Sequence, residues 1–189
     1  MSETEAVDIV DVDVRAWVEA AANDPVLYRD RQVTEIVLSA IGLAPTLSAN
    51  LVLKGGTLMA LAFGSLRLTG DIDFSADVEP ADFDQALTEE LDALLPKVAL
   101  RLGYLDLVCR VQSIRKMPRS ENFEDHSFPA LLVKLGSAVR RTPEQARLEQ
   151  GRAPRVVQVE ISFRDQVYSS QSLLLSGAGA AVRAFTLHE

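Results

Sequence analysis

Two short stretches of this chain hold residues whose types and spacing could do chemistry together. The first is Leu51-Val52-Leu53-Lys54-Gly55-Gly56-Thr57, and the second is Thr69-Gly70-Asp71-Ile72-Asp73-Phe74. Asp71 and Asp73 alternate with Ile72 and Phe74, which is the period of a strand. Residues two apart on a strand share a face and lie about 6.5 Å apart along it. Carboxylates held that close repel each other unless a cation lies between them. Mg²⁺ takes oxygen ligands, commonly one or two carboxylates plus substrate phosphates. Paired metals clamp the attacking and leaving oxygens of an in-line phosphoryl displacement. The pair therefore suits metal-assisted phosphoryl or nucleotidyl transfer. An isolated Asp-x-Asp, however, is more often a turn or strand edge with two solvated acids.

The glycines shift that balance. Leu51–Leu53 reads as the end of a buried strand or helix, and Lys54-Gly55-Gly56-Thr57 permits a tight turn with close backbone approach. Thr57 opens the helix-forming run Leu58-Met59-Ala60-Leu61-Ala62-Phe63. A helix beginning straight after such a turn aims free N–H groups and a positive dipole end at what lies in front, as a triphosphate site requires. The Thr57 hydroxyl either caps that helix or touches a phosphate. The Walker A spacing is absent, and the segment taken alone equally fits a plain turn and N-cap. Lys54 and Arg67 are cations within reach of such a site: each either neutralises phosphate or serves as an ordinary surface charge.

Several elements must position these residues. Asp11 to Ala22 reads as a helix with Val14, Trp17, Val18 and Ala21 on one stripe. Asp24 as N-cap and Pro25 in the first turn start a second helix, running to about Ile41, with Val33, Ile36, Val37 and Ala40 inward. A strand at Ile72–Ser75 follows the glycine turn. A long amphipathic helix runs from about Phe83 to Leu102; Pro96 should kink or interrupt it, and Gly103 closes it. Leu105–Ile114, Ala130–Gly136 and Val156–Phe163 read as strands. Pro118–Asp125 reads as a mobile loop, and Arg140–Pro154 as a polar, Arg-rich connection with a short helix from Pro143 or no fixed structure. Ser176–Ala180 is a turn. The fold class is α+β: a mixed sheet with N-terminal helices over about 11–41 and a core over about 51–189.

These residues together resemble the AbiEii/AbiGii toxin family of nucleotidyltransferases, in the DNA polymerase β-like superfamily. The resemblance rests on Leu53-Lys54-Gly55-Gly56-Thr57, Gly64-Ser65-Leu66-Arg67-Leu68-Thr69 and Asp71-Ile72-Asp73-Phe74, and extends more loosely over about residues 28 to 189. It implies that the glycine turn binds nucleotide phosphates through Lys54, Gly55, Gly56 and Thr57, with Arg67 beside it. Asp71 and Asp73 would bind Mg²⁺, with Mn²⁺ as the alternative. A third acid on a later strand would complete the site. Glu160 fits that position, on the polar face of Val156–Phe163, where many relatives carry Asp. By pattern alone Glu160 equally fits a solvent-facing residue on a half-buried strand. Family members usually continue into a helical region after the last strand, and this chain stops at Glu189, so the resemblance implies one nucleotidyltransferase-like domain over 1–189 without that region.

Composition bounds the rest. The chain has 189 residues, 48% of them hydrophobic, enough for one domain with a substantial core. A single cysteine, Cys109, excludes an internal disulfide framework and fits a reducing cytoplasm; set among Leu107, Val108 and Val111, it reads as a buried structural thiol. Two histidines, His126 and His188, are too few and too separated for a His-rich zinc site. Residues 1–13 are acidic and lack the basic region of a signal peptide. No apolar run reaches the roughly 18 residues of a membrane span.

Net charge is −8, which argues against broad non-specific nucleic-acid binding. Basic residues nevertheless cluster at Arg110, Arg115, Lys116 and Arg119, and again at Lys134, Arg140, Arg141, Arg147, Arg152 and Arg155. Either these are ordinary solvated charges or, as neighbouring strands and loops near the site, they guide an RNA backbone.

The leading expectation is thus a Mg²⁺-dependent nucleotidyltransferase toxin, moving a nucleotide monophosphate from an NTP to an acceptor. For some relatives that acceptor is the 3′ end of tRNA, and the resemblance implies a cognate antitoxin. The alternatives are a shortened, inactive nucleotide- or protein-binding module of the same fold, and one half of a split enzyme. An exposed apolar patch near Phe185 and Leu187 would favour the split enzyme.

Overall fold

The structure is a computed structural model and describes residues 8–65, 70–81 and 83–186. In chain order its elements are β1 (Ile9–Val12), α1 (Val14–Glu19), α2 (Pro25–Leu43), α3 (Pro45–Asn50), β2 (Leu51–Lys54), α4 (Gly55–Phe63) and β3 (Asp71–Ala76). There follow α5 (Phe83–Arg101), β4 (Leu107–Met117), β5 (Ala130–Val139), α6 (Pro143–Glu149), β6 (Arg155–Phe163), β7 (Ser170–Leu175) and β8 (Ala180–Phe185). The eight strands form one mixed sheet in the order β1-β7-β8-β2-β3-β6-β5-β4. The expected α+β class with a mixed sheet is borne out. None of the described helices is long and apolar enough to cross a membrane.

Side-chain alternation sets the centre of this sheet. Ile72 and Phe74 of β3 and Val157, Val159, Ile161 and Phe163 of β6 are buried on one face, with Leu131, Val133 and Leu135 of β5 beside them. The helices α2 and α5 pack against each other, α2 against β8 and α5 against β4. Phe163 meets Phe83 and Phe123 edge-on, at centroid distances of 5.8 and 6.4 Å. The opposite face of β3 and β6 carries the polar residues. A slip of one residue in β3 would turn Asp71 and Asp73 inward and expose Ile72 and Phe74, whose burial stabilises the fold by roughly 1.5–3 kcal/mol each. The core thus fixes the register of the candidate site.

The helix ends follow local chemistry. The Asp24 carboxylate accepts from the N–H groups of Val26 and Leu27, with Pro25 opening α2. At the end of α5, Gly103 has φ +83 and donates to the Leu100 carbonyl, while Tyr104 donates to Ala99. That is a Schellman closure, which needs the left-handed residue that glycine supplies. The helix continues through Pro96. Pro96 is exposed, so the Asp92 carbonyl that lacks an N–H partner faces hydration rather than a dry core.

Four expectations change. Asp11 and Val12 belong to a strand, not a helix: β1 pairs in parallel with β7, and Asp13 caps a short α1 by accepting from Ala16 N–H. The residues after Ala44, for which the sequence suggested no helix, form α3 with Pro45 in its first turn. The strands β7 and β8 lie in a region where only the intervening turn was anticipated. The loop from Pro118 to Asp125 is tied down rather than loose, because Phe123 is buried against Phe163 within a short 3₁₀ turn, Phe123–Asp125.

Candidate active site

The centre of the polar face is built by two pairings of β3. In the antiparallel β2–β3 pair, Lys54 lies opposite Asp73. In the parallel β3–β6 pair, Asp71 lies beside Gln158, Asp73 beside Glu160, and Ser75 beside Ser162. In-register neighbours share a face, so Lys54, Asp73 and Glu160 form one row across three strands. Asp71 is exposed, whereas Asp73 and Glu160 are half-buried. The structure thus brings Asp71, Asp73, Glu160 and Lys54 to one patch of one face.

Gly55 closes the patch from above. Its φ is +70, and a Cβ added there would lie 2.2 Å from Asp73 Oδ2 and 3.0 Å from Asp73 Cγ. Only a residue without a side chain permits both the left-handed backbone and this approach. The helix α4 starts at Gly55 with Lys54 as its N-cap residue and no side chain capping it. Its first-turn N–H groups have no intrahelical acceptors. The first turn of α4 and the Asp73 carboxylate therefore meet at one point. Gly56 lies in that first turn, half-buried. Thr57 does not cap α4; it is buried, and its hydroxyl donates to the Asp71 carbonyl at 2.9 Å, tying the helix to β3. Arg67 lies outside the described residues, as do Leu66, Leu68 and Thr69.

Electrostatics follow the geometry. Burial, with the charge of Asp71 in support, raises the Asp73 carboxyl above the usual aspartate range, and the Lys54 ammonium opposes the rise. Lys54 itself is engaged lower on the same face. Its Nζ donates to Asp165 Oδ2 at 2.5 Å and to Ser162 Oγ at 3.2 Å. The Ser75 hydroxyl donates to the same Asp165 oxygen at 2.6 Å. Burial works against the Asp165 charge, but the donations from Lys54 and Ser75 outweigh it and hold this carboxyl below the usual range.

Asp165, Ser75 and Ser162 were missed as site residues in the sequence. Ser75 and Ser162 lie on the polar register of alternating strands, so the pattern held a signal for them. Asp165 had none. It follows Arg164, whose φ of +67 turns the chain back after β6. Arg164 is braced there by donating to the carbonyls of His126 and Glu124 and by an ion pair with Glu79 at 3.1 Å.

The donor chemistry fits a divalent cation of the hard type: three carboxylates on adjacent strands, one of them with its charge disfavoured by burial and by a neighbouring acid. The fit is in the backbone rather than the side chains. Among the described residues, no group of three or more His, Cys, Asp or Glu side chains stands close enough to hold a metal ion. Like charges on adjacent positions spread apart when no cation lies between them.

The basic residues divide between the two faces. Pairing with Gly136, Lys134 and Leu132 puts Arg110, Ser113 and Arg115 of β4 on the polar face, together with Lys134 of β5. Lys116 lies on the other side, over the Phe123 ring and paired with Asp84 at 3.3 Å. Arg155 pairs with Asp30 of α2 at 3.5 Å. Cys109 is buried, and burial pushes its thiol up to about 12, consistent with a structural role.

The sequence pattern of a family described as nucleotidyl transferase AbiEii toxin, type IV toxin–antitoxin system, matches residues 36–189. No curated protein matches the chain. Among solved structures, the chain is similar to a Helicobacter pylori protein provisionally named a nucleotidyltransferase. The TM-score is 0.48 at 18% identity, covering 89% of this chain and 55% of that one. It is also similar to JHP933 from Helicobacter pylori, with a TM-score of 0.47 at 16% identity, covering 89% and 53%. The chain thus spans just over half the length of these two structures.

Proposed function

The chain belongs to the AbiEii family of nucleotidyl transferase toxins of type IV toxin–antitoxin systems, and from that membership we propose that it is a Mg²⁺-dependent nucleotidyltransferase, acting on an NTP and an acceptor RNA of the tRNA class and restrained by a cognate antitoxin. The observation that carries this reading is the contact of Gly55 with Asp73, which sets the start of a helix directly over an acid row.

Each residue then has a role. The N–H groups of Gly55, Gly56 and Thr57 would donate to the nucleotide's phosphate oxygens at the positive end of α4. Asp71, Asp73 and Glu160 would hold Mg²⁺, Mn²⁺ being the nearest substitute. When bound, the metal polarises the α-phosphate and offsets the charge of the leaving pyrophosphate. Lys54 and Arg67 are the candidate phosphate cations. In the transfer, a bond forms between an acceptor hydroxyl oxygen and the α-phosphorus, the hydroxyl proton passes to solvent, and the bond from that phosphorus to the β-phosphate oxygen breaks, releasing pyrophosphate. Arg110, Arg115 and Lys134, on the same face, are suited to an RNA backbone.

The test is incubation of the chain with Mg²⁺, each α-³²P-labelled NTP in turn, and total tRNA, beside an Asp71→Ala/Asp73→Ala double variant. Label on RNA that the double variant fails to produce supports the reading. A second reading is a nucleotide-binding module of the same fold without chemistry; the chain spans just over half the length of the two similar solved structures. That reading predicts NTP binding with no label transferred.

A further inference from the structure

Lys54 stands at the start of α4, yet its ammonium is held by Asp165. The residue caps α4 with an extended backbone, φ −139 and ψ −172, immediately before Gly55. Its side chain leaves the α4 terminus and crosses β3 to reach Ser162 and Asp165. Asp165 is delivered there by the left-handed Arg164, a conformation uncommon for a non-glycine residue. The three contacts of Arg164 with His126, Glu124 and Glu79 sustain that turn. The fold thus spends a strained turn and a buried serine, Ser75, on placing one carboxylate under one ammonium.

The resulting ion pair is open to water. The side chains of Lys54 and Asp165 are 29% and 31% exposed, and pairs at such exposure are weak and easily exchanged. A lysine carries its charge on a flexible four-carbon stem with three donors. A polyphosphate at the start of α4 would offer that ammonium more negative charge than a single carboxylate does.

We propose that Asp165, Ser75 and Ser162 form a resting berth for the Lys54 ammonium, which Lys54 leaves when an NTP binds, so that Asp165 sets nucleotide affinity without touching the nucleotide. Asp165 is a positioning residue in this scheme. The inference rests on the nucleotide site proposed above, and it assigns the berth to competition with phosphate rather than to building the site.

The test is a double-mutant cycle of equilibrium binding, with the mant-labelled forms of ATP, GTP, CTP and UTP as probes in Mg²⁺. Asp165→Asn should tighten binding about two- to five-fold, the span of an exposed ion pair. Ser75→Ala, which loosens Asp165 without removing its charge, should give a smaller gain of the same sign. Asp165→Glu should restore the wild-type value. In a Lys54→Met background, the Asp165→Asn gain should vanish. A gain that persists without Lys54 would mark a plain charge effect and overturn the berth. Weakening by Asp165→Asn, or no change, would overturn it too, and so would a Lys54→Met chain that binds like wild type. If the wild-type chain binds none of the four nucleotides, the nucleotide site itself fails and the berth with it.

Discussion

Asp73 fills the space that a side chain at Gly55 would need: a Cβ there would begin 2.2 Å from the Asp73 carboxylate oxygen. The left-handed backbone of Gly55 and the register of β3, which turns Asp73 to the polar face, are each ordinary. Their coincidence is what joins the start of α4 to the acid row.

Gly55→Ala should therefore damage the site twice, by straining φ and by displacing Asp73. The strain alone costs on the order of 1–3 kcal/mol. Thermal denaturation should show a lowered Tm, and transfer activity should fall further than that loss of stability explains. Gly64→Ala is the control. Gly64 also has a positive φ, +64, but among the described residues nothing lies within 4 Å of its added Cβ, so it should lose stability while keeping activity among the folded molecules.

Glu160 and Asp73 are in-register neighbours, and this pairing predicts how their loss divides. Glu160→Gln should raise the Mg²⁺ concentration for half-maximal transfer by about tenfold or more, the scale on which a metal site loses affinity when its support is removed. Asp73→Asn should cut transfer by about a hundred-fold or more. Initial rates against Mg²⁺ concentration measure both. Equal rates and equal Mg²⁺ dependence in Glu160→Gln would remove Glu160 from the site.

Much of this arrangement was legible in the sequence, for a physical reason. Asp71–Phe74 and Val157–Phe163 alternate, and a half-buried strand shows its two faces in its own residue order. Asp24-Pro25 and Gly103 carry their helix ends in local chemistry, and both appear as expected. The rest depends on partners distant in sequence. β1 is short and is a strand because β7 lies beside it; read alone, Asp11–Val12 joins the helical stripe that follows. Ser170–Leu175 has no clean alternation, and its pairing with β8 makes it a strand. Pro96 breaks a helix in isolation but is tolerated on the solvent side of α5. Asp165 reaches the site through a left-handed arginine, which no periodic pattern announces.

A buried acid away from the site gives a pH-dependent prediction. Glu35 of α2 has no exposure, accepts from the Tyr104 hydroxyl, and stands 3.8 Å from Arg15 Nε. Burial raises its carboxyl above the usual range, outweighing the opposing Tyr104 hydrogen bond and the Arg15 charge. Burial likewise raises the Tyr104 hydroxyl, with Glu35 adding to the shift. A raised acid favours the folded state when protonated, so its stabilising contribution is full below the unfolded glutamate value of about 4.3 and is lost as pH rises through the folded value. Glu35→Gln should therefore raise Tm at pH 7–8 relative to wild type, and the gain should disappear towards pH 4. A variant whose Tm offset is the same at both pH values would contradict the assignment.

Cys109 offers a check on the core. Its buried thiol, pushed up to about 12, should resist thiol reagents in the native protein. Reaction with a chromogenic disulfide should be slow under native conditions and fast and stoichiometric in denaturant. Fast native labelling would mean that β4 does not pack against α5 as described.

Nucleotidyl transfer at this site is decided by a parallel pair of reactions with tRNA and Mg²⁺, one with α-³²P-labelled and one with γ-³²P-labelled NTP. The account predicts that the α label appears on RNA while the γ label leaves in pyrophosphate, and that Asp73→Asn abolishes the RNA signal. Label on RNA from the γ position, or α label undiminished in Asp73→Asn, would contradict nucleotidyl transfer at this site.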